Sequence, residues 1–316
     1  MGRVSRLHSV RVVPDSPTVK IHKLESTDAF IAIDLDRDGD PVPSVGITRL
    51  ARKVLQDGAK LLARSTTYAF ASFDVQMGGA SAGINAEGDD VDPAVASFVD
   101  EVKELVSSGQ WATDPGLGLT ESDLGELRIA DPRPPALWTD GLATELVGRG
   151  AAAAAVAVRG GDLTGATWSA IGSGPLVDAV KVAVTEAGAL AAPGAGGADA
   201  ECDVLFVAGK AGVMDHDMAE TVQASVVVPL TPVPVTARAH AVLSQAGRIH
   251  VPDFLSTAAP LLHGFDAANG DPVERVGSAV ASFADQGTGL WMAAVDKAEA
   301  FLSTWQDELP FGRPLA

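Results

Sequence analysis

The 316-residue chain has one cysteine, Cys202, so no internal disulfide forms and no second cysteine supports a metal site. Basic charge is scarce as well. Lysine and arginine number 23 against 41 aspartate and glutamate, a formal charge of −18. With neither a basic patch nor a basic tail, nucleic acid and anionic membranes are poor partners. Long apolar runs are missing: GAAAAAVAV at 150–158 is too short to span a bilayer and reads as a packed helix. The N-terminal MGRVSRLHSVRVVPDS lacks the apolar core of a secretory signal, which sets the expectation of a cytoplasmic protein. His216 and His263 lack partners at metal-ligand spacing, so no metal site is expected.

What is present is patterned. VKIHKLESTDAFIAIDLDRDGDP (19–41) alternates polar and apolar residues and predicts two strands joined by turns, and VPSVGITRL (42–50) continues as a third. Leu50, Val54, Leu55, Leu61 and Leu62 recur at helical spacing and predict a helix over 47–65. MGGASAGI (77–84) reads as a glycine-rich turn that brings backbone and Ser81 close to a ligand. An amphipathic helix is predicted over 92–109, and the proline-rich ADPRPPALW (130–138) marks a boundary. Beyond it, helices at about 140–159, 175–188, 215–223 and 236–246 alternate with the strands ATWSAIG, CDVLFVAG, SVVVPL and RIHVPDFL, the pattern of βαβ units in a parallel sheet. Helices are predicted over 272–284 and 290–306.

In ATWSAIGSGPLVDAV a strand runs into Gly172, Ser173, Gly174 and Pro175 and then a helix. Such a turn lets a dinucleotide pyrophosphate approach backbone amides at the helix N-terminus. The third glycine of that fingerprint is Val177 here, and ALAAPG stands where an acidic residue would take the ribose. A tight strand-to-helix turn without a nucleotide fits the same residues.

Several stretches, in order, resemble the glutamate/leucine/phenylalanine/valine (amino-acid) dehydrogenases. VPSVGITRL resembles their GPAxGGxRL strand, TTYAFASFDVQMGGASAGI their MTYKxAxxGLPxGGGKxxI segment, and VGRGAAAAAVAV their TGRGV helix. CDVLFVAG resembles CDILIPAA, VPLTPVPVT the GANGPTT loop, and RIHVPDFLSTAAP the VPDFLANAGG turn. The resemblance covers roughly residues 28–262 and implies an α/β chain. It divides into an α+β dimerisation and substrate domain (1–135), a Rossmann-like parallel sheet (136–265), abridged after ALAAPG, and C-terminal helices (266–316) that pack back on the first domain.

The resemblance also implies the chemistry: NAD- or NADP-dependent oxidative deamination, with one lysine for the substrate carboxylate, a second lysine to activate water and an aspartate to move protons. Those three fall at Ala69, Ser81 and Gly116, and two family asparagines fall at Pro232 and Thr257. The backbone-shaping Gly78, Gly79, Gly83, Gly148, Arg149, Gly150, Pro252 and Asp253 are kept. Replacement catalytic candidates are Lys210, Asp114 and Ser81; the cofactor turn is Gly172, Ser173, Gly174 and Pro175; the substrate pocket is Arg49, Tyr68, Gln76, Gly78, Gly79 and Thr257. Three readings follow. One is a divergent homologue without amino-acid dehydrogenase activity, which binds a small molecule, regulates, or joins a homo-oligomer or a complex with an active paralogue. The others are a rewired NAD(P)H-dependent reductase of a neutral ketone or imine, and a non-redox enzyme using Lys210 or Asp114 in the same cleft.

Overall fold

The computed structural model describes residues 19–35, 42–193, 196–309 and 312–316. Its first sheet contains β1 (Lys20–Lys23), β2 (Ala29–Ile33), β3 (Ser44–Ala51), β4 (Gly78–Asn85) and β5 (Trp111–Pro115) in the order β1-β2-β4-β3-β5. β2 is antiparallel to β1 and β4, and β3 is parallel to β4 and β5. The parallel pairs need crossovers, supplied by the helices α1 (Gln56–Ser72) and α2 (Val91–Ser107). Successive side chains of a strand face opposite ways, so Ala80, Ala82 and Ile84 pack with Phe98 and Val102 of α2, whereas positions 79, 81 and 83 face α1.

Two expectations are corrected here. The stretch 77–84 is not a turn but the central strand β4, paired on both sides. Its glycines serve close packing, since a Cβ at Gly79 would stand 1.8 Å from the backbone oxygen of Ala63 in α1. The helix expected over 47–65 begins only at Gln56 and runs to Ser72, because ladders to β4 and β5 hold Ile47 and Thr48 in β3 and the β4 ladder continues to Ala51.

The short helices α3 (Gly125–Arg128) and α4 (Ala136–Thr139) lead through the proline-rich segment to α5 (Leu142–Val158). The second sheet contains β6 (Thr167–Ile171), β7 (Leu190–Ala191), β8 (Val204–Val207), β9 (Val226–Pro229) and β10 (Ile249–His250). Every pair in it is parallel, in the order β10-β9-β8-β6-β7. Its crossover helices include α6 (Pro175–Glu186), α7 (His216–Thr221) and α8 (Ala237–Gln245). β8 and β9 are buried on both faces. Phe206 and Val228 join a core shared with α5, while Leu205 and Val227 pack on Ala219 of α7 and Leu243 of α8. The chain is thus α/β, a mixed sheet followed by an abridged Rossmann-like one.

RIHVPDFL pairs only at Ile249 and His250, since Pro252 has no N–H for a ladder and opens the turn into α9 (Asp253–Ser256). After α10 (Ala259–Phe265) and α11 (Pro272–Ala281), α12 (Leu290–Leu302) lies against α1, where Tyr68 Oη donates to Glu299 Oε1 at 3.0 Å and Lys297 Nζ to the Ser72 carbonyl at 2.7 Å. Among the described residues no helix is long and apolar enough to cross a membrane.

Candidate active-site cleft

A cleft of about 550 Å³ opens between the two sheets. β3 gives it Gly46 and Ile47, α1 gives Ser65, Thr66 and Ala69, and the end of β5 gives Asp114, Pro115 and Gly116. From the other side come Gly141, Ala143, Thr144 and Val147 at the start of α5, Leu176 of α6, Leu230, Thr231 and Pro232 after β9, and Thr257 after α9. Carboxyl ends of parallel strands and helix N-termini converge here, the usual ligand site of open α/β sheets.

An ionic cluster forms one wall. Nε, Nη1 and Nη2 of Arg133 each donate to protein acceptors, among them Asp131, Asp114 at 2.8 Å and the Thr113 carbonyl. Burial disfavours the Arg133 charge, yet Asp131 and Asp114 outweigh it and hold the guanidinium above its ordinary range. Arg128 binds Asp114, Glu121 and Asp131 and lies 4.6 Å above the Trp138 ring. Three carboxylates thus surround two guanidiniums, and both arginines are buried while Asp114 and Glu121 stay about 40% exposed, at 39% and 40%.

Ser65, on the cleft lining, is bonded to a buried acid. Asp253 Oδ2 accepts from Ser65 Oγ at 2.6 Å and from the Val233 backbone N–H at 2.9 Å. Burial pushes the Asp253 carboxyl up to about 6 against the pull of those hydrogen bonds. Val233 has φ +53°, which a β-branched residue adopts only under constraint; the bond to Asp253 holds the 230–235 loop in the shape that sets Leu230, Thr231 and Pro232 on the cleft.

The structure brings only some of the sequence-selected positions together. Ala69, Asp114, Gly116, Pro232 and Thr257 share this cleft. Ser81 is sealed under α1, its hydroxyl 3.3 Å from the Ile47 carbonyl. Arg49 runs over Gly116, whose Cβ would stand 2.9 Å from Arg49 Cγ; its Nε and Nη2 are buried without a partner among the described residues, and burial lowers its pKa. Tyr68 turns away to Glu299, its hydroxyl pushed up first by burial and then by that carboxylate. Gln76 is exposed beyond α1, Gly78 and Gly79 lie buried within β4, and Lys210 is exposed on the loop after β8, outside the cleft lining. Among the described residues no group of three His, Cys, Asp or Glu is placed to hold a metal.

The cofactor turn fits in half. Gly172 and Gly174 both have positive φ, +96° and +92°; a Cβ at Gly172 would stand 2.6 Å from the Ala208 carbonyl, while the space over Gly174 is open at the uncapped start of α6. That end suits a pyrophosphate. The ribose end does not: β7 is two exposed residues followed by Ala192 and Pro193, with no acid.

Sequence reasoning missed Ser65, Glu121, Arg133 and Trp138. Asp253 reads in the sequence as part of the backbone-shaping turn. One signal was readable: an arginine two residues from Asp131 among prolines is fixed in place and has an acid at hand.

No protein-family model matches the chain, and no curated relative matches it. Solved structures do. The leucine-bound hetero-hexameric glutamate dehydrogenase from Thermus thermophilus is similar with a TM-score of 0.67 at 23% identity, over 85% of this chain and 82% of that one. For L-tryptophan dehydrogenase from Nostoc punctiforme the values are 0.66 and 18%, over 91% and 96%. For glutamate dehydrogenase from Plasmodium falciparum they are 0.67 and 12%, over 87% and 79%. The fold is that of amino-acid dehydrogenases. Within the amino-acid dehydrogenase fold, the intersheet cleft is the place where this chain carries its arginine–carboxylate cluster and its buried Ser65–Asp253 pair.

Proposed function

We propose that this chain binds a small molecule in the intersheet cleft and does not deaminate amino acids. The observation that supports it is the chemistry at three positions: Ala69 and Gly116 line the cleft without an ionisable group, and Ser81 is buried beneath α1. Arg133, the guanidinium lining the cleft, already donates from each nitrogen. Each lost acid–base group lowers a rate by about 10² to 10⁴-fold. The resemblance extends the reading to assembly, as a homo-oligomer or with an active paralogue, and the protein of Thermus thermophilus is itself a hetero-hexamer. The test is an assay of NAD- and NADP-dependent deamination across the protein amino acids, with the expectation of no turnover above background.

A second reading, reduction of a neutral ketone or imine, draws on the preserved turn at Gly172 and Gly174. Titration with NAD, NADH, NADP and NADPH by calorimetry separates the two, since absence of binding at millimolar cofactor removes the reductase.

A further inference from the structure

The protons on the α1 wall are spent. Ser65 gives its only hydroxyl proton to Asp253, Thr66 gives its own to the Leu62 carbonyl at 3.2 Å, and Ala69, one turn beyond Ser65, adds no charge. Ser65 Oγ therefore meets the cleft as an acceptor, with lone pairs to spare. Thr257 donates to the Asp253 carbonyl and Thr231 to that of Gly209, so neither hydroxyl proton is free.

Two further features constrain the ligand. Asp114 and Glu121 keep free acceptor capacity, since Arg128 approaches Glu121 only at Oε2. The first turn of α5, with Gly141 and Ala143 on the cleft and no side-chain cap, offers backbone N–H groups that favour an acceptor. A carboxylate satisfies the second feature but meets only lone pairs on α1. A hydroxyl both donates and accepts, and an amine suits Asp114 and Glu121. Ile47, Leu137, Trp138, Val147, Leu176 and Leu261 supply an apolar surround for the remainder.

We propose that the cleft takes an amino alcohol with an apolar body, its hydroxyl donating to Ser65 Oγ and its amine placed toward Asp114 and Glu121. This rests on the ligand-binding reading above and names the class of ligand. Arg49 lies outside the lining, with Nε and Nη2 closed to solvent. It does not serve as a carboxylate reader in this arrangement.

The experiment is calorimetric titration of the whole protein with L-phenylalaninol and with L-phenylalanine, which differ at the group in question. The alcohol is expected to bind at least ten-fold more tightly. Ser65→Ala lowers the preference for the alcohol over phenylalanine by roughly three- to ten-fold, and Glu121→Gln weakens the alcohol by roughly ten-fold. A merely structural Ser65 lowers both affinities together. Equal or tighter binding of phenylalanine, no heat from phenylalaninol at millimolar concentration, or a Ser65→Ala protein with unaltered preference overturns the proposal. Deamination of phenylalanine instead overturns the parent reading, and it is scored by a separate assay.

Discussion

Ser65 of α1 and Asp253 of α9 share a 2.6 Å hydrogen bond that joins the helix covering the first sheet to the turn that ends the second. With the Val233 amide on the same oxygen, this one carboxylate fixes α1, α9 and the 230–235 loop around the cleft. Removing the hydroxyl leaves a buried acceptor short of a donor. Ser65→Ala is expected to lose about 1 to 3 kcal/mol in chemical denaturation, and an unchanged midpoint would show that Asp253 finds another donor.

Asp253 makes stability depend on pH in an unusual direction. Its folded pKa of about 6 lies above the 3.8 of the free side chain, so the folded state holds the proton longer. This contribution is present at low pH and is lost as pH rises through 6, by about 3 kcal/mol in all. Buried His250, pushed down to about 3 first by burial and then by His240, works oppositely. Its contribution is full above the free value of 6.5 and falls away below it. The two cancel partly between pH 4 and 6. Asp253→Asn therefore gains on the parent in melting temperature as pH rises from about 4.5 to 7.5, and melts more steeply in acid. A difference between variant and parent that stays flat with pH would rule out a raised Asp253.

Arg133 anchors the anionic wall and cannot leave quietly. Arg133→Met leaves buried Asp131 and partly exposed Asp114 with Arg128 as their remaining guanidinium, at an expected cost of about 1.5 to 3 kcal/mol. Adding Asp131→Asn should restore part of that loss, because Arg128 alone is shared between these two carboxylates and compensates the buried Asp131 charge less well. If the double variant is no more stable than the single one, the pairing argument fails.

Much of this architecture was legible beforehand. α5 and α6 came out within a few residues of their expected ends because Gly141, Pro175 and Gly188 punctuate the chain locally. The start of α1 did not, since strand pairing of residues up to Ala51 overrode a helical period that includes Leu50. β4 was misread because glycine signals a turn unless the reader knows that α1 must lie 1.8 Å from where a Cβ would be. The cleft was half visible: Asp114, Gly116 and Thr257 were placed by resemblance. Ser65 and Asp253 meet across 188 positions, and nothing local marks such a contact.

Putting the expected groups back tests how far the site has diverged. Ser81→Lys forces an ammonium into a fully buried strand position and is expected to destabilise by about 3 kcal/mol or more. Gly116→Asp must displace Arg49, while Ala69→Lys has the open cleft before it. The triple variant is expected to show no deaminase activity, and a folded, active triple variant would mean that the old site is only disarmed.

The most direct measurement is the nicotinamide absorbance of the parent protein incubated with NAD or NADP and each protein amino acid. The cleft described above, with Ala69, Gly116 and an Arg133 that already donates from each nitrogen to protein acceptors, predicts no reduction above the enzyme-free control. Steady cofactor reduction with any of them, abolished by Asp114→Asn, would contradict it and make this chain a dehydrogenase with rebuilt acid–base groups.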